Sequence, residues 1–131
     1  NHSEHRLPRD RIGEAVSMCR ELGLETCVCT KDESESADLA GFHPDMIAIE
    51  PPDLIGGDVS VTSADPGIVS RSVDGVHSVD SKIRVYCGAG VKTGTDVKAA
   101  LDLGASGVLL ASGVVKAKDP EAVLRDLISE I

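Results

Sequence analysis

Four short runs of β-branched and small apolar residues, Leu24–Thr30, Asp45–Glu50, Lys82–Cys87 and Gly107–Ala111, punctuate the chain, each bounded by glycine, proline or charged turn residues. Runs this short and apolar read as buried strands, of the kind found in parallel sheets. Parallel neighbours need a crossover between them, and the sequence supplies helical patterns in the gaps. Ile12, Ala15, Val16, Cys19 and Leu22 recur at helical spacing before the first run, with Asp10 a candidate N-cap and Gly23 placed for a left-handed C-terminal cap. Asp65-Pro66 opens a helix carrying Val69, Val73 and Val76, Thr93 to Leu103 forms another that stops at Gly104, and Asp119-Pro120 opens the last, with Leu124, Leu127, Ile128 and Ile131 on one face. Ser34 to Phe42 is the weakest helical pattern.

One helix followed by four strand–helix units predicts the α/β class with a parallel sheet. The count is too small for a complete (β/α)8 barrel, which takes about 200 residues or more, and does not match the usual doubly wound order. It suits half a barrel. No linker, low-complexity tract or shift in composition divides the chain, so residues 1–131 are expected to be part of one domain.

The 22 acidic and 13 basic side chains give a formal net charge of −9. Without a Lys/Arg cluster, neither nucleic acid nor an anionic membrane surface has a footprint here. The most apolar stretch, Gly107 to Val115, is interrupted by Ser112 and Gly113 and is far too short to span a bilayer. A small phosphorylated molecule remains possible, because backbone N–H groups can hold it. Cys19, Cys27, Cys29 and Cys87 form no C-x-x-C pair and have no histidine at zinc-ligand spacing. They read as buried thiols in a reduced, cytoplasmic compartment, with no metal or cofactor expected.

Two strands end in small residues that run directly into the next helix: Cys87-Gly88-Ala89-Gly90 and Ala111-Ser112-Gly113. Either loop alone reads as a tight turn or as an anion cradle. Together, at the ends of the last two strands, they match the place where barrels often hold a phosphate. Lys92 and Lys116 lie nearby and read as solvated surface lysines. Glu50 ends the second run and is followed by Pro51-Pro52 and then Asp53 to Gly57. A carboxylate at a barrel's C-terminal rim followed by a proline-stiffened, glycine-ended loop reads either as a catalytic group with a lid or as an exposed carboxylate before a plain loop.

Asn1-His2-Ser3-Glu4, Ile49-Glu50-Pro51-Pro52-Asp53-Leu54-Ile55-Gly56, Cys87-Gly88-Ala89-Gly90-Val91 and Gly107-Val108-Leu109-Leu110-Ala111-Ser112-Gly113 occur in this order. With these motifs the chain closely resembles the archaeal-type triose-phosphate isomerase family, from end to end. The resemblance implies a (β/α)8 TIM barrel of which this chain is roughly the second half, strands five to eight with helices four to eight. It implies interconversion of dihydroxyacetone phosphate and glyceraldehyde 3-phosphate through an enediolate. His2 matches the family's catalytic histidine, whose neutral imidazole polarises the carbonyl; that protonation state comes with the resemblance. Glu50 matches the general base, Glu4 a supporting carboxylate and Ser3 its neighbour. Gly56, Gly90, Ser112 and Gly113 match the phosphate positions, and Pro51, Pro52, Asp53, Leu54, Ile55, Gly56 and Gly57 match the lid. Archaeal-type members form tetramers, so a homo-oligomer is implied for the complete protein.

The loops depart from the bacterial and eukaryotic pattern: G-A-G stands for G-G-S and S-G for G-G, which removes a serine hydroxyl from the phosphate site. The family's catalytic asparagine and lysine belong to its first strand–loop unit and match nothing in residues 1–131. The chain is therefore expected to be an incomplete gene product, a truncated form or one half of a split barrel, with negligible activity alone. Two other readings stand beside this one. One is another phosphate-binding barrel enzyme, such as a thiazole- or indole-forming synthase, which shares the last two loops but not the first two motifs. The other is a non-catalytic half-barrel that binds phosphate or partner chains.

Overall fold

A computed structural model describes all residues 1–131. Its centre is a wholly parallel sheet of four strands, β1 (Cys27–Thr30), β2 (Met46–Ile49), β3 (Arg84–Cys87) and β4 (Gly107–Val108), lying side by side in chain order. The helices are α1 (Arg9–Glu21), α2 (Glu33–Ala40), a one-turn α3 (Val61–Ala64), α4 (Pro66–Val79), α5 (Gly94–Asp102), a one-turn α6 (Ser112–Val115) and α7 (Pro120–Leu127), with a 3-10 turn at Pro52–Leu54. The register pairs Thr30 with Ile49, Ile49 with Cys87 and Cys87 with Val108, so all four strands end at one rim. This is half of a (β/α)8 barrel. The strands are shorter than their apolar runs, and the one-turn helices carry no pattern long enough to be read from sequence.

Local chemistry sets most helix starts. The Asp32, Asp65 and Asp119 side chains accept hydrogen bonds from the N–H groups of Glu35 (2.8 Å), Ile68 (3.1 Å) and Ala122 (3.0 Å), with proline at the first position of α4 and α7. Thr93 and Asp96 form a reciprocal capping box at α5. The start of α1 differs from expectation: Pro8 precedes it and no side chain caps it, so Asp10 lies inside the first turn, where it favours the helix only through the dipole. Gly23 does close α1, at φ 71°.

Alternation along the strands assigns the two faces of the sheet. Ile47 and Val85 point to the helices and pack with Ala40, Val73, Val76 and Ile83. One level nearer the rim, Ile49 and Cys87 join Val61, Val69, Val97, Ala100 and Leu127. Ile12, Val16, Val28 and Leu39 form a smaller cluster under α1. The opposite, concave face carries Cys27, Cys29, Ala48 and Tyr86; Ala48 is buried between its neighbours, Tyr86 is half-buried and the face opens toward Cys27. Cys27 is therefore exposed rather than a core thiol, and Cys29 is only half-buried. The apolar face expected on the last helix is also mostly uncovered: Leu127 is buried, but Leu124, Ile128 and Ile131 are 51%, 65% and 74% exposed. No helix is long and apolar enough to cross a membrane.

Candidate active site

The rim at which the strands end gathers the motif residues. Glu50 directly follows β2, and its N–H donates to the Thr30 carbonyl at 2.8 Å, continuing the ladder and holding the backbone still. Its side chain is 11% exposed, and its Oε2 is buried with no hydrogen-bond partner. A buried carboxylate oxygen without a donor is costly, and such atoms in folded proteins call for an explanation. That oxygen lies 4.0 Å from His2 Nε2. On the other side of the ring, Nδ1 accepts the Glu4 N–H at 3.3 Å. An accepting Nδ1 places the proton of a neutral imidazole on Nε2, toward Glu50 and the open rim. Glu4 thus contributes its backbone; its carboxylate is 87% exposed and 3.9 Å from Nδ1.

The segment bearing His2 is tied down by groups that no motif announced. Asn1 Nδ2 donates to the Cys29 carbonyl at the end of β1 (3.3 Å), and Asn1 Oδ1 accepts from the Leu7 N–H (3.1 Å). Arg6 donates to Glu35 of α2, which also accepts from the Lys31 N–H at 2.8 Å and from Asn1 at 3.4 Å. Burial works against ionisation of Glu35, but the Arg6 hydrogen bond and the other donors outweigh it and hold its carboxyl below the usual range. Beside Glu50 stands Cys29. Burial first, then the Glu50 charge and a hydrogen bond to that carboxylate, push the thiol up to about 12.

The far side of the rim is built of small residues. A cavity of about 630 Å³ is lined by His2, Glu4 and Glu50 together with Gly56, Gly57, Gly90, Ser112 and Gly113. Lys92 and Lys116, read from sequence as surface lysines, also line it. Ala89 and Gly90 both adopt φ 73°, and the Ala89 carbonyl accepts the Val61 N–H at 3.1 Å. At Gly90 a Cβ would fall 2.0 Å from the Val59 carbonyl oxygen, so only glycine fits. Lys92 donates to Asp58 at 2.5 Å, and this bond and charge hold the Asp58 carboxyl below its ordinary range. Of the expected lid, Ile55, Gly56 and Gly57 reach the cavity, whereas Pro51, Pro52, Asp53 and Leu54 do not line it. His5, His43 and His77 stand away from it; His43 pairs with Asp80 at 2.9 Å.

The rim therefore sets a carboxylate and an imidazole against a glycine-lined, lysine-flanked end suited to an anion. The family model that matches this chain, over residues 1–131, is that of triosephosphate isomerase. The chain belongs to the triosephosphate isomerase family. Among curated relatives, the triosephosphate isomerase of Methanoculleus marisnigri is 57% identical over 98% of this chain, and that of Methanobrevibacter smithii is 51% identical over all of it. The enzyme of Halobacterium salinarum is also 51% identical over the whole chain. These matches take up 58%, 59% and 61% of the relatives, so the chain spans little more than half the length of the family members it resembles. Solved structures agree on the fold alone. A flavocytochrome b2 mutant with pyruvate bound superposes with a TM-score of 0.68 at 19% identity, over 95% of this chain and 32% of its own. The N-acetylmannosamine-6-phosphate 2-epimerase of Clostridium perfringens does so at 0.64 and 16%, over 92% and 49%.

Proposed function

We propose that this chain forms the part of a triosephosphate isomerase that carries its base, its histidine and its phosphate loops. The reaction interconverts dihydroxyacetone phosphate and glyceraldehyde 3-phosphate. The observation that carries the proposal is that Glu50 Oε2 and His2 Nε2, 4.0 Å apart, line the same cavity as the loops of small residues Gly56-Gly57, Ala89-Gly90 and Ser112-Gly113.

Glu50 acts as general base, taking a proton from the carbon beside the substrate carbonyl and returning it to the neighbouring carbon. An unpartnered oxygen suits this role, because no existing hydrogen bond must break first. His2 donates from Nε2 to the carbonyl oxygen and stabilises the enediolate, its ring held by the Glu4 N–H. Gly56, Gly90, Ser112 and Gly113 offer backbone donors to the phosphate, with Lys92 and Lys116 supplying nearby positive charge in a chain of net charge −9. Pro51 to Gly57 form the lid that keeps water from the enediolate. The four free cysteines support a cytoplasmic setting, and the family supports a homo-oligomer for the complete enzyme.

The uncovered edges of β1 and β4 and the exposed apolar face of α7 support the view that residues 1–131 alone turn over negligibly and associate with other chains instead. The test joins this chain to the preceding units of the Methanoculleus marisnigri relative and measures isomerisation of glyceraldehyde 3-phosphate. The joined protein is expected to be active, and Glu50→Gln to lower kcat by about a thousand-fold. A folded joined protein without activity refutes the proposal.

A further inference from the structure

Gly88 follows β3 and, by the register that pairs Ile49 with Cys87, lies beside Glu50 on the concave face of the sheet. A Cβ at this position would come within 2.6 Å of both Glu50 Cγ and Oε1 and within 3.0 Å of Cδ. The outer part of the Glu50 side chain, from Cγ through Cδ to Oε1, therefore rests on the bare backbone of residue 88. We infer that Gly88 is a positioning residue for Glu50, its missing side chain forming the seat that sets where the carboxylate stands. This rests on the reading of Glu50 as the base.

Two observations separate this role from the ordinary uses of glycine. Gly88 is not among the residues at positive φ, so the backbone conformation does not demand glycine here, unlike at Gly90. Nor can the backbone yield to an added side chain. The Gly88 N–H donates to the Ile49 carbonyl at 2.8 Å, and the Glu50 N–H donates to Thr30 at 2.8 Å, so both residues are fixed by the ladder from which they emerge. Any atom added at position 88 must be accommodated by the Glu50 side chain itself. That side chain is the one whose Oε2 is buried without a partner and faces His2 Nε2 at 4.0 Å. The Cys29 thiol hydrogen-bonds the Glu50 carboxylate but no hydrogen bond holds Oε2, so the backbone of residue 88 is the contact that limits where this end of the side chain can lie.

The experiment uses the joined protein described above and compares Gly88→Ala with the parent. With reacting groups displaced by about 1 Å, kcat is expected to fall by about a hundred-fold. KM and inhibition by inorganic phosphate should stay within about three-fold, because the anion end of the cavity is untouched. In a Glu50→Asp background, whose carboxylate is already drawn back by one methylene, the same substitution should cost less than about three-fold. Crystal structures of the parent and Gly88→Ala proteins supply a readout independent of turnover, with the Glu50 carboxylate expected to move. Unchanged turnover, a loss that simply multiplies with that of Glu50→Asp, a parallel loss of phosphate inhibition, or an unmoved carboxylate would each overturn the inference. A joined protein that is inactive yet shows the carboxylate displaced would sink the functional reading while leaving the seat intact.

Discussion

Ala89 is a non-glycine residue held at φ 73°, buried, between two glycines that have separate work. A left-handed conformation costs an L-residue about 1–2 kcal/mol, and such strain persists only where surrounding structure enforces it. Here the enforcement is the hydrogen bond from the Val61 N–H to the Ala89 carbonyl, which roots the lid in the loop after β3. Ala89→Gly in the joined protein should therefore raise stability by about 0.5–1 kcal/mol, the relief of strain being partly offset by the freedom glycine has when unfolded. The urea midpoint measures it; a lower midpoint would mean the alanine methyl packs well enough to outweigh its strain. The sequence showed that this loop was built of small residues, but not which glycine served which purpose. Gly88 and Gly90 look alike in a string of letters and differ only in φ and in what stands above them. Cys29 was equally silent, because nothing in E-T-C-V-C-T says which thiol will lie beside Glu50.

Among elements, the informative one is the segment from Asn1 to Leu7, which is not regular structure at all. It holds His2 at the rim because Glu35 of α2 gathers Arg6, Asn1 and the Lys31 N–H. Because the folded-state pKa of Glu35 is depressed, this tether is complete above the ordinary carboxyl value of 4.5 and is lost as pH falls through the lower folded value. Glu35→Gln, which cannot carry the charge, should flatten that acid-side loss of stability in the joined protein, and urea titrations at pH 3 to 5 would show it. An unchanged acid limb in Glu35→Gln would assign the loss to other carboxylates. The regular elements were legible for a plain reason: caps at Asp65, Thr93 and Asp119 and the spacing of Val69, Val73 and Val76 are local signals, and local geometry obeyed them. Contacts between Glu35 and residues 29 to 34 positions away left no local signal to read.

On the scale of the whole molecule, the apolar pattern and the observed burial part company at the two ends of the sheet. The helix opened by Asp119-Pro120 forms but ends at Leu127, and of the apolar face expected on it only Leu127 is buried; Leu124, Ile128 and Ile131 face solvent, as do Met18, Leu22 and Leu24 near β1. Periodicity tells which face of a helix wants cover and nothing about what supplies it. With these faces and the edges of β1 and β4 uncovered, residues 1–131 alone should form polydisperse assemblies that grow with concentration, and supplying the preceding units should replace them with one discrete homo-oligomer. Sedimentation velocity across a range of concentrations would decide, with a monodisperse monomer counting against it. The proposed lid segment has a different bearing. Its rear is held to the β3 loop by the Val61–Ala89 hydrogen bond, the close approach of Val59 to Gly90 and the Asp58–Lys92 pair, while Pro51-Pro52 stiffens its front. Between them, Ile55–Gly57 is the span that reaches the cavity, folded back on the 3-10 turn by hydrogen bonds from the Ile55 N–H to Pro52 (3.3 Å) and from the Gly57 N–H to Leu54 (3.1 Å), with Gly56 at φ 71°. Under the proposed function, the gate over this site is then a compact, internally bonded turn rather than a flapping loop, moving as one piece against a rear fixed to the loop after β3.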